Sequence, residues 1–246
     1  MPDYDFRTPR IHVDAALAAG RTIAFDRSQA NHLRNVLRLG PDDEVLLFNG
    51  LDGEWQARLT TAGKRDVAAL VTRQVRGQPL PYDLNLLFAP LKHARLDYMV
   101  QKAVEMGVSR LQPVLTRYTQ VARVNLDRMR ANAVEAAQQC GILTLPMVSE
   151  PVRFADIAET GRLLVFCDEH AEVEDPLAAL KAAPAGRPLS IVIGPEGGFT
   201  EDERQALLKR DHVVRIALGP RILRADTAAV AALTLVQAAL GDWRGR

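Results

Sequence analysis

Two loops of the chain combine residue types that can hold a ligand and act on it. The first is Ile193-Gly194-Pro195-Glu196-Gly197-Gly198-Phe199-Thr200-Glu201-Asp202-Glu203, which follows the apolar run Leu189 to Ile193. Its three glycines permit left-handed backbone and close approach of a ligand, and Thr200 with Glu203 is spaced as a capping box that opens a helix. No Gly-Lys-Ser/Thr follows and the glycines do not read Gly-x-Gly-x-x-Gly, so nucleotide phosphates are not the natural guest. Taken alone, the loop reads equally as a tight structural turn. The second is Leu218-Gly219-Pro220-Arg221-Ile222-Leu223-Arg224-Ala225-Asp226-Thr227-Ala228. Gly-Pro forces a turn, and Asp226 or Thr227 is placed to cap the helix that follows. Ile222 and Leu223 are apolar residues that need cover, from the core or from the ring of a flat ligand. Arg221 and Arg224 supply guanidinium groups suited to phosphate or carbonyl oxygens, or to a structural ion pair with Glu196 or Asp226.

The elements around these loops must place them on one edge. Strand-like runs at 83–88, 111–115, 163–166, 189–193 and 213–218 alternate with helical patterns at 94–106, 126–139, 201–210 and 226–240. Continuous apolar strands alternating with helices predict an α/β domain around a largely parallel sheet, which carries ligands outside the carboxyl ends of its strands. Both loops follow strands. Residues 10–13, 22–25, 44–48, 54–59 and 67–71 read instead as short strands separated by turns such as Asn49-Gly50-Leu51-Asp52-Gly53. One helix interrupts them, after a Ser28 cap and through Leu33, Val36 and Leu37. That pattern predicts a small β-barrel over residues 1–76, joined by the stiff segment Gly77-Gln78-Pro79-Leu80-Pro81 to a second domain over 77–246.

Composition excludes several classes. The 246 residues carry 48% hydrophobic and 25% charged side chains and a formal net charge of +1, a balance that excludes disorder as the main state. The near-neutral total hides a segregation, because residues 92–130 hold eight basic against three acidic groups, while 131–214 hold seven against fourteen. A local basic excess can present an anion-binding face, and solvated helix faces account for the same counts. The most apolar stretch, Ala225 to Leu240, is interrupted by Asp226, Thr227, Thr234 and Gln237, so no membrane span is expected. Met1 to Arg7 lacks a basic segment leading into an apolar one, which makes the cytoplasm the expected compartment. Cys140 and Cys167 are far apart and outside any Cys-x-x-Cys spacing, so two buried thiols are expected, with neither disulfide nor metal.

With these loops in place, the chain resembles the RsmE family of ribosomal RNA methyltransferases, members of the SPOUT superfamily. The resemblance rests on Ile193 to Thr200 and on Leu218 to Arg224 followed by Thr227-Ala228. It extends to His32-Leu33-Arg34-Asn35-Val36-Leu37-Arg38, to Gln101-Lys102-Ala103-Val104-Glu105-Met106-Gly107-Val108 and to Ala137-Gln138-Gln139-Cys140-Gly141, in family order across nearly the whole chain. Two departures stand out. Ala225-Asp226 replaces the family's Thr-Glu, and Ile142 stands where the family commonly has Arg after Cys-Gly.

The resemblance implies a PUA-like RNA-binding barrel joined to an α/β methyltransferase domain with a trefoil knot. It further implies a homodimer that uses S-adenosylmethionine (SAM) to methylate N3 of one uridine in the decoding region of 16S ribosomal RNA, on the assembled small subunit. Carried over by position, Gly194, Glu196, Gly198, Leu218, Gly219, Ile222, Leu223 and Arg224 line the cofactor pocket. Arg224 and Arg221 are the electrostatic candidates for charge on the uracil oxygens, and Glu196 is a candidate base. For RNA grip the candidates are Arg7, Arg10, Arg34 and Arg38 on the barrel and Lys92, Lys102 and Arg117 near the sheet edge; a solvated charge is the alternative for each. His32 either stacks on RNA or caps the core. Two other readings use the same loops: a SPOUT enzyme acting on a ribose 2′-hydroxyl or another base, or a non-catalytic RNA-binding assembly factor.

Overall fold

Five strands, β1 (Arg10–His12), β2 (Thr22–Ala24), β3 (Glu44–Phe48), β4 (Glu54–Thr61) and β5 (Val67–Arg76), form one sheet in the order β1-β3-β4-β5-β2. The computed structural model describes every residue except 1–4, 6, 62–65, 122, 173, 174, 185, 245 and 246, which leaves most of the Met1 to Arg7 stretch outside the described residues. β1 pairs parallel with β3 and the remaining pairs are antiparallel. β3 turns into β4 because the Asn49 side-chain oxygen accepts the backbone N–H groups of Leu51 and Asp52 at 3.0 and 2.8 Å, an Asx turn. β1 and β2 remain edges of this order, so strand pairing among the described residues stops short of the closed ring expected of a barrel. Inward residues such as Ile11, Leu33, Val45, Leu47, Leu59 and Val71 make the core. The helix α1 (Arg27–Asn31) starts two residues earlier than expected: Asp26, not Ser28, is its cap, in a reciprocal box with Gln29. A π-helical turn, His32–Val36, continues it.

This sheet belongs to a compact unit, Met1–Leu80 with Ala137–Leu145, whose interior carries one buried carboxylate. Glu54 accepts from Arg10 Nε and from Arg76 Nε and Nη2, the latter two at 2.7 and 2.9 Å. Arg10 also reaches the Gln138 carbonyl and Arg76 the Gly141 carbonyl, which fastens the returning segment 137–145. The Arg10 guanidinium, expected on the surface as an RNA contact, is instead buried and committed to Glu54. Removing one partner of such a cluster leaves buried charge uncompensated, so Glu54→Gln is expected to cost about 3–5 kcal/mol in denaturant unfolding. Burial alone would raise the Glu54 carboxyl, but hydrogen bonds from Arg76 and Arg10 outweigh it and hold the group below its ordinary value. The stabilisation is thus complete above about pH 4.5 and is lost as pH falls through the lower native value. An acid titration of stability in which wild type and Glu54→Gln stay parallel would contradict this.

The second unit, Pro81–Ala136 with Pro146–Arg246, is built on a seven-stranded parallel sheet. Its strands are β6 (Leu84–Phe88), β7 (Arg110–Leu115), β8 (Met147–Val148), β9 (Val152–Arg153), β10 (Leu163–Cys167), β11 (Leu189–Ile193) and β12 (Val213–Ile216). They run β12-β10-β11-β6-β7-β8, with β9 also on β7. β6, β10 and β11 are buried along their whole length, which is why they read as apolar runs broken only by Asn85 and Ser190. The helices α2 (His93–Glu105), α3 (Leu126–Cys140), α5 (Glu201–Leu208) and α6 (Ala225–Ala239) lie within a residue or two of the expected spans. α2 buries Leu96, Met99, Val100, Ala103 and Val104, one stripe at helical spacing, and packs against α6. α4 (Pro176–Lys181) escaped the sequence reading because six residues show too little periodicity; Asp175 caps it and Pro176 opens it.

At the amino ends of the strands a buried polar cluster ties the sheet together. Glu159 accepts from Asn85 of β6 at 2.9 Å and from the Ser190 hydroxyl of β11, and pairs with Arg110 of β7 at 3.3 Å and Arg162 at 3.2 Å. Every strand being parallel, the opposite edge collects all the carboxyl ends, and both loops start there. Among the described residues no helix is long and apolar enough to cross a membrane.

Candidate functional site

The loop after β11 is shaped by what its glycines must accommodate. A Cβ on Gly194 would stand 2.7 Å from Phe199 Cε2, and Phe199 is itself buried edge-on to Phe166, with ring centroids 5.2 Å apart. Gly198 has φ +69°, and a Cβ there would stand 2.3 Å from Glu169 Oε1. The buried Phe199 ring thus demands glycine at 194, and the left-handed backbone demands it at 198. Thr200 then caps α5 through the expected box, accepting from Glu203 N–H while Glu203 accepts from Thr200 N–H. Glu203 also accepts the backbone N–H of Arg117 at 2.8 Å, which joins the end of β7 to the start of α5. Glu196 sits half-exposed and pairs with Arg95 of α2 at 3.2 Å.

The loop after β12 is open. Gly219 has φ +99° with nothing within 4 Å of where a Cβ would stand, and Ile222 is 91% exposed. The core therefore does not cover Ile222, while Leu218 and Leu223 are half-buried. Arg221 and Arg224 are exposed and neither makes an ion pair with Glu196, whose partner is Arg95, or with Asp226. Asp226 instead accepts the Thr227 N–H at 2.9 Å. The capping expectation is corrected here: α6 begins at Ala225, its N-cap is Arg224 without a side-chain bond, and Asp226 and Thr227 lie inside the first turn.

Between the two loops stands the end of β10, which sequence reading passed over. Asp168, fully buried, accepts from Arg204 Nε at 3.0 Å, Arg215 Nε at 2.7 Å and the His170 N–H at 3.1 Å, and forms an ion pair with Arg215 Nη2 at 2.6 Å. Burial would raise its carboxyl, but these hydrogen bonds prevail and hold it below the usual range. The adjacent Cys167 thiol is pushed up to about 12 by burial and by Asp168. Cys140, by contrast, is exposed, so only one of the two thiols is buried as expected. The rule that pointed to the loops, that functional residues follow strands, also points to Asp168 and Glu169 directly after β10. They were missed because no glycine marks the position.

The RNA-grip candidates separate by environment. Arg7, Arg38, Lys92 and Arg117 are exposed, and Arg38 adopts φ +57° just beyond the π-helical turn. Arg34 donates to the Asp66 carbonyl at 3.1 Å, and Lys102 is drawn to Glu105 at 2.7 Å and over the Tyr98 ring. His32 is exposed, which leaves it available for stacking and removes the core-capping alternative.

The residues around the loops suit a cofactor that is flat, apolar in part and positively charged. The open glycine at 219 and the uncovered Ile222 offer a surface for a ring, and the first loop carries Glu196 with Glu169 beside its Gly198.

Comparison with known proteins gives a consistent result. A family model described as an RNA methyltransferase domain matches residues 78–237, and one described as an RNA methyltransferase PUA domain matches 25–72. The chain is 30% identical over 230 residues to ribosomal RNA small subunit methyltransferase E of Rickettsia conorii, covering 93% of this chain and 94% of that protein. It is 27% identical to the Bacillus subtilis protein of the same name, over 87% of this chain and 89% of that one. Among solved structures, ribosomal RNA small subunit methyltransferase E from Neisseria gonorrhoeae bound to S-adenosylmethionine superposes with a TM-score of 0.81 at 29% identity, covering 96% of this chain and all of that one. A Legionella pneumophila protein in complex with bound SAM gives 0.81 at 27% identity, over 96% and 99%.

Proposed function

The chain belongs to the RsmE family of ribosomal RNA small-subunit methyltransferases, and from that premise we propose that it transfers the methyl group of S-adenosylmethionine to N3 of one uridine in the decoding region of 16S ribosomal RNA. We read it as acting on the assembled small subunit, as a homodimer in the cytoplasm, with its C-terminal segment knotted through the α/β domain. The observation that carries the site is the pairing at one sheet edge of a glycine loop bordered by carboxylates with an open loop bearing two guanidinium groups that have no ion-pair partner among the described residues.

When bound, SAM supplies an electrophilic methyl on a sulfonium. The chain's own task is to hold acceptor and donor in line, worth several kcal/mol of positioning. Leu218, Gly219, Ile222 and Leu223 would present backbone amides and apolar surface to the adenine, and Gly194, Glu196 and Gly198 would line the opposite wall. Neutral uracil N3 has no useful lone pair, so its proton must leave and the charge spreads to the carbonyl oxygens. Arg224 and Arg221 are free to stabilise that charge and to lower the pKa of N3–H, which lets solvent take the proton. Glu196 is less suited to act as the base, because its carboxylate is already engaged by the Arg95 guanidinium at 3.2 Å. A target buried in a ribosomal helix must be flipped out to reach the loops. Arg7, Arg34, Arg38, Lys92, Lys102 and Arg117 would position the RNA through its phosphates.

The test is transfer of labelled methyl to small subunits from a strain lacking this gene, with free 16S RNA in parallel and nucleoside analysis of the product. Label in 3-methyluridine, and more on subunits than on free RNA, is the expected result. Label on a ribose or another base would favour a different SPOUT activity, and no SAM binding would favour a non-catalytic assembly factor.

A further inference from the structure

Asp168 follows β10, the strand between β11 and β12, so it stands between the roots of the two loops. Its side chain is wholly buried and accepts from one arginine on each side. Arg204 lies in the first turn of α5, where its N–H bonds the carbonyl of the cap Thr200 at 2.9 Å, so it is fixed to the end of the glycine loop. Arg215 lies in β12, three residues before Leu218 opens the second loop, and its Nη2 also bonds the His170 carbonyl at 3.0 Å. One carboxylate thus receives charge-assisted hydrogen bonds from the elements that carry both walls of the site. Such bonds fix geometry as well as adding energy. We propose that Asp168 is a positioning residue that sets the separation of the two loops for the methyl donor. The proposal rests on the reading of these loops as the SAM site.

The molecule provides its own control. Glu159 is also a buried carboxylate held by two arginines, but it lies at the amino ends of the strands, away from both loops. If Asp168 merely stabilised the sheet, Asp168→Asn and Glu159→Gln would behave alike. The experiment measures, on the full chain, the melting temperature, the Kd for SAM by calorimetry, and KM for SAM against kcat with saturating small subunits. Both variants are expected to melt earlier. Asp168→Asn is expected to raise Kd and KM roughly tenfold or more with kcat within about threefold, since misplacement of a binding wall is costly even far from the chemistry. Glu159→Gln is expected to leave KM within about twofold. Arg215 lies on the partly exposed rim, so Arg215→Gln carries the same test if Asp168→Asn fails to fold, and Arg215→Lys should recover part of the lost affinity. Equal KM effects for the two carboxylate variants, or an unchanged KM in Asp168→Asn, overturn the positioning role alone. Failure of the wild-type chain to bind SAM would overturn the reading of the loops and this proposal with it.

Discussion

Gly194→Ala is expected to weaken SAM binding ten- to hundredfold, the equivalent of roughly 1.4–2.7 kcal/mol and within the usual range for overpacking a well-packed site. The added methyl would stand 2.7 Å from Phe199 Cε2 and 3.1 Å from Cδ2. Phe199 has nowhere to retreat: it meets Phe166 edge-on at 5.2 Å and Phe154 at 6.2 Å, within a core that includes Leu87, Val192 and Leu207. The strain must be relieved by moving the loop itself, and the loop is the binding wall. Gly77→Ala is the control, because nothing lies within 4 Å of its Cβ position. Calorimetric titration of SAM into both variants decides the matter. Equal affinity in Gly194→Ala and wild type would show that residues 194–198 do not line the cofactor pocket.

That clash also shows how far the sequence could be read. The parallel sheet was legible because β6, β10 and β11 are buried along their whole length and so appear as apolar runs with a single polar residue each in β6 and β11. The capping box at Thr200 was legible because it is local chemistry between residues three apart. Long-range partners were not. Arg10 and Arg204 look in sequence like surface cations, yet each is drawn into the interior by a carboxylate, Glu54 at a separation of 44 residues and Asp168 at 36. Nothing in local periodicity reports such pairs. The same limit applies to the glycines: their positions were evident, but Gly194 answers to the Phe199 ring and Gly198 to a left-handed backbone, which only the folded chain defines. The resemblance to a known family named Glu196 for the site, while its partner Arg95, on helix α2, emerged from the structure.

Arg224→Ala is expected to lower kcat for methyl transfer by roughly 10²–10³, the cost of removing one donor aimed at charge that develops in the transition state. Two features favour a large effect. Arg224 precedes α6 directly, so its backbone is held by the helix start, where its carbonyl accepts the Ala228 N–H at 2.7 Å. Its side chain is exposed and makes no hydrogen bond or ion pair among the described residues, so the melting temperature should stay within a degree or two of wild type. SAM affinity should change by only a few-fold, because the loop offers the cofactor backbone groups and the exposed Ile222 rather than this guanidinium. Arg221→Ala, equally exposed but one turn of loop further from the helix, separates the two candidates: whichever variant loses kcat at unchanged Kd marks the residue that meets the uracil oxygens. Arg224→Lys tests the geometry, since an ammonium keeps the charge but loses the planar fork that can bridge two oxygens. Full activity in Arg224→Ala and Arg221→Ala alike would remove electrostatic stabilisation by this loop from the mechanism and leave positioning as its sole contribution.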